Sequence, residues 1–481
     1  MLLDLLVIVP IAGVILTLLA GRISAQAARW MALGVTLAYL AIVAALVSEG
    51  VFAGETLEGL HVAAHRVPFW DLRIDGLSAP LVALMALLGP VAVFASWNVT
   101  ERASVHLALL LGLQAAVTGV FLAADVVLLY VFWEAVLIPM YFLIGVWGHE
   151  DRRHAAMKFF VYTFAGSALM LVGILIAVFT IGATSIEQLV AGRHALTDPA
   201  LVFWLLAAGM LVKLPAFPLH TWLPDAHVEA PTSGSILLAG VLLKMGGYGL
   251  LRLAIPMAPE HFVGVSWIFA VLGGIGVVYG AAVALVQPDL KRLVAYSSVA
   301  HMGFVLLALS TATSAGFDAA MLIMISHGLV APLLFLLVGQ LYDRTHTREI
   351  ARFGGLGELA PRWGTALTFA ALASLGLPGL SGFPGELLAM IEGFGMWSWL
   401  VALVLPGVVL AAAYNLRAVR EVVHGVPARE WIAIRDLGGG DLIPVVGLSI
   451  AVVVLGIWPR IVMDMTVGVS AALAALVGRG V

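Results

Sequence analysis

Apolar runs of roughly 18 or more residues recur from one end of this chain to the other, each long enough to cross about 30 Å of hydrocarbon. The first, "LLDLLVIVPIAGVILTLLAG", occupies residues 2–21. A soluble chain of 481 residues cannot bury so many by folding on itself: 62% of its residues are hydrophobic and 11% charged, against about 25% charged in soluble domains. Lipid must be the solvent, and the predicted fold class is an all-α polytopic membrane protein, because the backbone of such runs must satisfy its own polar groups. The net charge of −4 gives no reason to expect a nucleic acid partner. With no cysteine, disulfides, iron–sulfur ligation and thiolate metal sites are excluded. No basic residue precedes the first run, so it reads as a span rather than a cleaved signal peptide.

Dividing the runs at charged or turn-rich breaks predicts spans near 2–20, 30–48, 78–97, 105–123, 126–147, 156–182, 200–223, 232–251, 264–286, 291–311, 317–341, 363–395, 399–416 and 442–460. That is about fourteen transmembrane helices. With the N-terminus outside, sixteen Lys and Arg residues fall in inner loops and six, including Arg66 and Arg479, in outer ones. The positive-inside rule then puts both termini on the outer side. The other two basic residues, Lys213 and Lys244, lie inside spans, whereas all twenty arginines lie in loops or at span ends. Arginine cannot release its proton in a protein, while a buried lysine changes charge readily.

Two carboxylates are similarly placed. Glu134 follows Asp125 by nine residues in "DVVLLYVFWEAVLIPMYFLIGVWGHE", roughly 13 Å into the span. Glu386 follows the break in "LGLPGLSGFPGELL". A charged group facing lipid would cost about 2.5–3.5 kcal/mol on insertion scales. A structural ion pair between Glu134 and Lys213 is one reading; a proton relay over four spans is the other. If the pair stood about 4 Å apart, it would be worth about 4 kcal/mol at an effective dielectric near 20. His220, His301 and His327 add groups whose ordinary pKa suits proton transfer, although a lone helical histidine is commonly a packing residue. His227, His346 and His424 sit near loops and read as structural.

Pro215, Pro218 and Pro224 interrupt the seventh span; Pro378, Gly379, Gly382, Pro384 and Gly385 interrupt the twelfth. Such breaks are tolerated at membrane depth only where protein or water satisfies the freed carbonyls. They lie five spans apart, which predicts two inverted five-helix repeats, because an odd number of helices starts the second copy from the opposite side. The expected divisions are 1–103, three helices; 104–255, the first repeat; 256–420, the second; and 421–481, a loop and the last helix. The glycines in "LGGIGVVYGAA" lie inside a span with no preceding strand, so they predict helix packing rather than dinucleotide binding.

The stretches "FWEAVLIPMYFLIGVWG", "KLPAFPLHTWLPDAHVEAPTSGSILLAGVLLKMGGYGLLR", "DLKRLVAYSSVAHMGFVLLA" and "HGLVAPLLFLLVGQLYDRTHTREI" resemble the proton-translocating membrane subunits of respiratory complex I. That family is similar to the large proteins of multisubunit Mrp-type cation/proton antiporters. The resemblance implies proton transfer through Glu134, Lys213, Lys244 and Glu386, with His220, His301 and His327 along the same axis. It implies no cofactor in this chain, with FMN and iron–sulfur clusters in partner subunits. The implied neighbours are L-like and N-like membrane subunits in the lipid of a bacterial inner membrane. Those neighbours carry lysine at the twelfth-span position; glutamate there, as in Glu386, marks a different branch. The expected order of transfer runs from Lys213 through His220 to Lys244, then His301 and His327 to Glu386. A related antiporter, hydrogenase or ion-uptake complex is the alternative setting.

Overall fold

The computed structural model describes residues 2–48 and 70–478. The predicted Arg66 and Arg479 lie outside them. Helices account for nearly all of the described chain: α1 Leu2–Gly21, α2 Ala25–Ser48, α3 Ser78–Ala95, α4 Ala103–Leu122, α5 Val126–Trp147 and α6 Arg152–Ile181. After α7 Pro199–Lys213 and α8 Trp222–Glu229 come α9 Thr232–Met257, α10 Pro259–Leu285, α11 Leu290–Ser310 and α12 Ser314–Thr345. The last four are α13 Pro361–Ser374, α14 Gly382–Val422, α15 Gly439–Ile457 and α16 Arg460–Leu476.

Twelve of these helices, among the described residues, are long and apolar enough to cross a bilayer unaided. One of them, α14, has 41 residues and leaves helical geometry at Trp397 (φ −131°, ψ 48°), so it is two helices joined at a kink. α7 and α13, at 15 and 14 residues, are too short alone, and each runs into a break followed by another helix. α16 was not anticipated. At 17 residues, with Arg460 and Asp464 near its start, it is too short an apolar run to be counted as a span.

Helix starts are set locally. Asp125, Asp198 and Asp289 accept from the first free backbone N–H groups of α5, α7 and α11, and Thr313 does so for α12; such side chains satisfy donors that have no partner inside the helix. Asp125 also bridges to Ser185, and Asp289 to Glu349, through isolated antiparallel pairs.

α12 is buried along its whole apolar window and α9 nearly so, while α1, α2 and α6 expose large apolar side chains such as Ile15, Trp30 and Phe179. Lys244 of α9, His301 of α11 and His327 of α12 therefore sit on the most enclosed helices. The predicted packing role of the small residues holds. A β-carbon at Gly273 would stand 2.6 Å from the carbonyl of Gly303, and one at Gly280 would stand 2.7 Å from the amide of Ala300. α10 and α11 thus touch backbone to backbone.

Candidate functional site

Lys213 ends α7, where the proline-bearing stretch 214–221 begins. Pro215 has no N–H, so the Leu211 carbonyl accepts from Ala216 instead. The indole of Trp222 donates to the carbonyl of Val212 at 3.0 Å. The break is thereby sealed with protein donors, as its depth requires. Lys213 is 2% exposed and its Nζ has no hydrogen-bond partner. It lies 5.6 Å from the ring centroid of Trp133 and 6.0 Å from that of Phe159, within cation–π range of both.

The expected close pair of Lys213 with Glu134 is not made. No ion pair joins them, and Glu134 Oε1 is buried without a partner. Trp133 takes the place against the ammonium, and Glu134, the next residue and about 100° round the helix, acts on Lys213 through its charge without touching it. α5 is also interrupted at Val136, just past Glu134, because Pro139 cannot donate to the carbonyl of Ala135. His220, inside the break, forms no hydrogen bond to Lys213 or Lys244. Its ring stacks on Phe217 at 5.7 Å and meets Tyr279 edge-on at 5.1 Å.

Beyond this point the polar groups join up. Lys244 sits in α9 between two π-helical stretches, Leu238–Leu242 and Leu250–Ala254. A π turn widens the ladder and leaves a carbonyl free; that of Ala239 accepts from Lys244 Nζ. The same Nζ donates to His327 Nδ1 at 2.7 Å. With Nδ1 accepting, the ring hydrogen of His327 is on Nε2, which is buried without a hydrogen-bond partner. The rings of His327 and His301 lie 5.5 Å apart, and His301 Nδ1 is 3.0 Å from Glu386 Oε1. The order is therefore Lys244, His327, His301, Glu386, with the two histidines exchanged relative to expectation.

A cavity borders this row, lined by Ser297, His301, Ser326, His327, Ser374 and Glu386 among others. It admits water centres over about 10 Å³, room for roughly one water molecule. The second break builds its floor. Gly376 takes a positive φ of 77°, and a β-carbon there would approach Glu386 Oε2 to 2.9 Å; only glycine meets both conditions. Ser381, after the break, bonds Ser326 of α12 at 2.9 Å.

Sequence reasoning missed two residues. His227, read as a loop residue, is fully buried, stacks on Phe335 at 4.5 Å, and has no hydrogen-bond partner on either nitrogen. It lies within reach of the charges of both Lys291 and Lys244. Lys291, assigned to an inner loop, is 3% exposed and donates to the carbonyl of Ala230. Their signal was the short spacing from Pro224 to Pro231, which returns the chain into the protein rather than out to water. In the neighbouring loop, burial, then Lys291 and Arg348, push His149 down to about 3. Nearby, Asp225 pairs with Lys158 at 2.6 Å and with Arg292 at 3.1 Å. Among the described residues, no group of three or more His, Asp or Glu side chains is arranged to hold a metal ion.

Residues 123–412 match the transmembrane family described as NADH:quinone oxidoreductase/Mrp antiporter. The chain is 39% identical to the NADH-quinone oxidoreductase subunit M of Rhodobacter capsulatus, over 98% of this chain and 96% of that one. A chain of respiratory complex I from Thermus thermophilus superposes with a TM-score of 0.88 at 30% identity, covering 99% of this chain and 100% of the other. A chain of the Mrp complex from Dietzia shares the fold, with a TM-score of 0.86 at 20% identity over 98% of this chain and 97% of that one.

Proposed function

The chain belongs to the NADH:quinone oxidoreductase/Mrp antiporter family of membrane subunits, and from that premise we propose that it is a proton-translocating subunit of an NADH-quinone oxidoreductase, the counterpart of subunit M. It is then a multi-pass protein of the bacterial inner membrane and part of a translocase. The redox chemistry belongs to partner subunits carrying FMN and iron–sulfur clusters, and its membrane neighbours are L-like and N-like relatives of itself.

The observation that carries this reading is the largely buried row of Lys244, His327, His301 and Glu386, hydrogen-bonded at each end and joined in the middle by two histidine rings 5.5 Å apart, with a water-sized cavity along it. Intramembrane ionisable groups arranged in series form a proton relay. Lys213 is the upstream group. Held by two aromatic rings without an anion in contact, its charge responds to the position of Glu134 and to any charge brought near by a neighbouring subunit. His220 lies at the bend, and His227 and Lys291 extend the row toward the face with the basic loops.

The fold supports fourteen crossings: α7 with α8, and α13 with the first part of α14, each form one interrupted span. It also supports the inverted repeats of 104–255 and 256–420. α5 and α11 are second helices of their units; each starts with a capping aspartate that bridges to the loop after the following helix. Both termini then lie on the outer, periplasmic side, as the basic residues imply.

The test is Lys244→Ala in the assembled complex reconstituted into vesicles. Proton uptake per NADH oxidised should fall sharply, while NADH oxidation by a water-soluble acceptor is retained. Unchanged proton stoichiometry would overturn the relay. Transport that follows a sodium gradient without NADH would instead favour an antiporter.

A further inference from the structure

A second polar cavity opens between the inner ends of α3, α12 and α15, on the face that carries the basic loops. Asn98, Thr232, Gln340, Asp343 and Asp441 supply its polar lining. It admits water centres over about 30 Å³, room for about two waters, more than beside Glu386. Its walls descend in order along α12. Asp343 is exposed at the rim, Gln340 lies almost one turn deeper at 8% exposure, and Gly339 packs on Thr232.

Gln340 is the informative side chain. Its Nε2 donates to the Asp441 carbonyl at 3.1 Å, yet its Oε1 is buried and accepts from nothing in the protein. A buried acceptor left bare costs about 1–3 kcal/mol, and in a polar cavity of this size a water supplies the missing hydrogen. Asp441 is fixed outward by Arg344 at 2.6 Å. Asp343 is instead among the carboxylates whose charge reaches Lys291. Behind the cavity wall, two residues before Thr232, the carbonyl of Ala230 holds the Lys291 ammonium.

We propose that this cavity is the mouth through which protons enter from the basic-loop face, with Asp343 as the collecting carboxylate and Lys291 and His227 as the groups that pass them to Lys244. A hydrated proton bound at Asp343 is handed by water past Gln340 to the lysine. The carboxylate regains its negative charge and Lys291 its positive one, so no other reactant is needed. The proposal rests on the relay reading above and assigns its entrance.

Two measurements on the assembled complex test it. The chain has no cysteine, so Gln340→Cys introduces a single thiol into this subunit. A membrane-impermeant maleimide should label it from the basic-loop face and slow NADH-driven proton uptake as it does so. Failure to label from that face would overturn the mouth. Asp343→Asn should lower the rate of proton uptake about tenfold, the lower end of what electrostatic focusing contributes, and Asp343→Glu should restore it with equal amounts of assembled complex. If Lys244→Ala abolishes pumping while Asp343→Asn leaves it intact, the entrance lies elsewhere and the relay stands. If Lys244→Ala itself has no effect, the relay reading fails first.

Discussion

The two broken spans use the same device and leave their charged residues in different states. At the first, Lys213 is buried among Trp133 and Phe159 with no hydrogen bond to its ammonium. At the second, Glu386 is bound to His301 and bordered by a water-sized cavity. A group held only by ring faces is cheap to move or neutralise; a group wired into a row hands over what arrives. On the proposed function, that difference would give switching to the first break and conduction to the second.

The largest test of that division is Lys213→Arg. It preserves the charge but, with a larger planar group, cannot release a proton, so proton uptake should drop about 100-fold, as when a general acid–base group is removed. Near-normal pumping would show that Lys213 acts only through its charge. Next in size, Glu386→Gln should slow pumping about tenfold. The amide keeps the shape but cannot take up and release a proton as the carboxyl can, and a tenfold change in rate is about 1.4 kcal/mol. An undiminished rate would place conduction outside the row.

Trp133→Leu should have a smaller effect. It removes a ring contact worth about 0.5–2 kcal/mol and should shift the pH at which pumping is half-maximal without changing its maximum. A change in the maximum alone would make Trp133 a packing residue.

The smallest effect concerns the inner loop. His149 has a folded value of about 3, below the ordinary 6.5, so the unfolded chain takes up the proton first as pH falls. The stability this neutral histidine contributes is complete above about 6.5 and declines from there toward about 3. His149→Gln should flatten the melting temperature of the complex across that interval; an unchanged slope would show that the ring is hydrated.

The spans were legible because a bilayer imposes a minimum length on every apolar run, and the breaks because proline and glycine announce themselves. Lys213, Lys244 and Glu386 stood out because charge is scarce in such runs. What stayed hidden depends on rotation and packing. Whether Trp133 or Glu134 faces Lys213 is decided by about 100° of helical turn, which depth along the chain does not reveal. The order of His327 and His301 follows from how α11 and α12 cross. His227 sits in a short segment that reads as a loop until its neighbours enclose it. The π turns in α9 have no residue signature, and the apolar part of α16 after Asp464 is too short to register as a span.

Those wide turns have a mechanical consequence. Each stores one surplus residue, and such a bulge can travel along a helix by exchanging one carbonyl partner for the next, baring no amide for longer than the exchange. Lys244 lies between two of them. Moving one past Lys244 would swing its ammonium about 100° around the axis, away from His327, while both ends of α9 stay anchored.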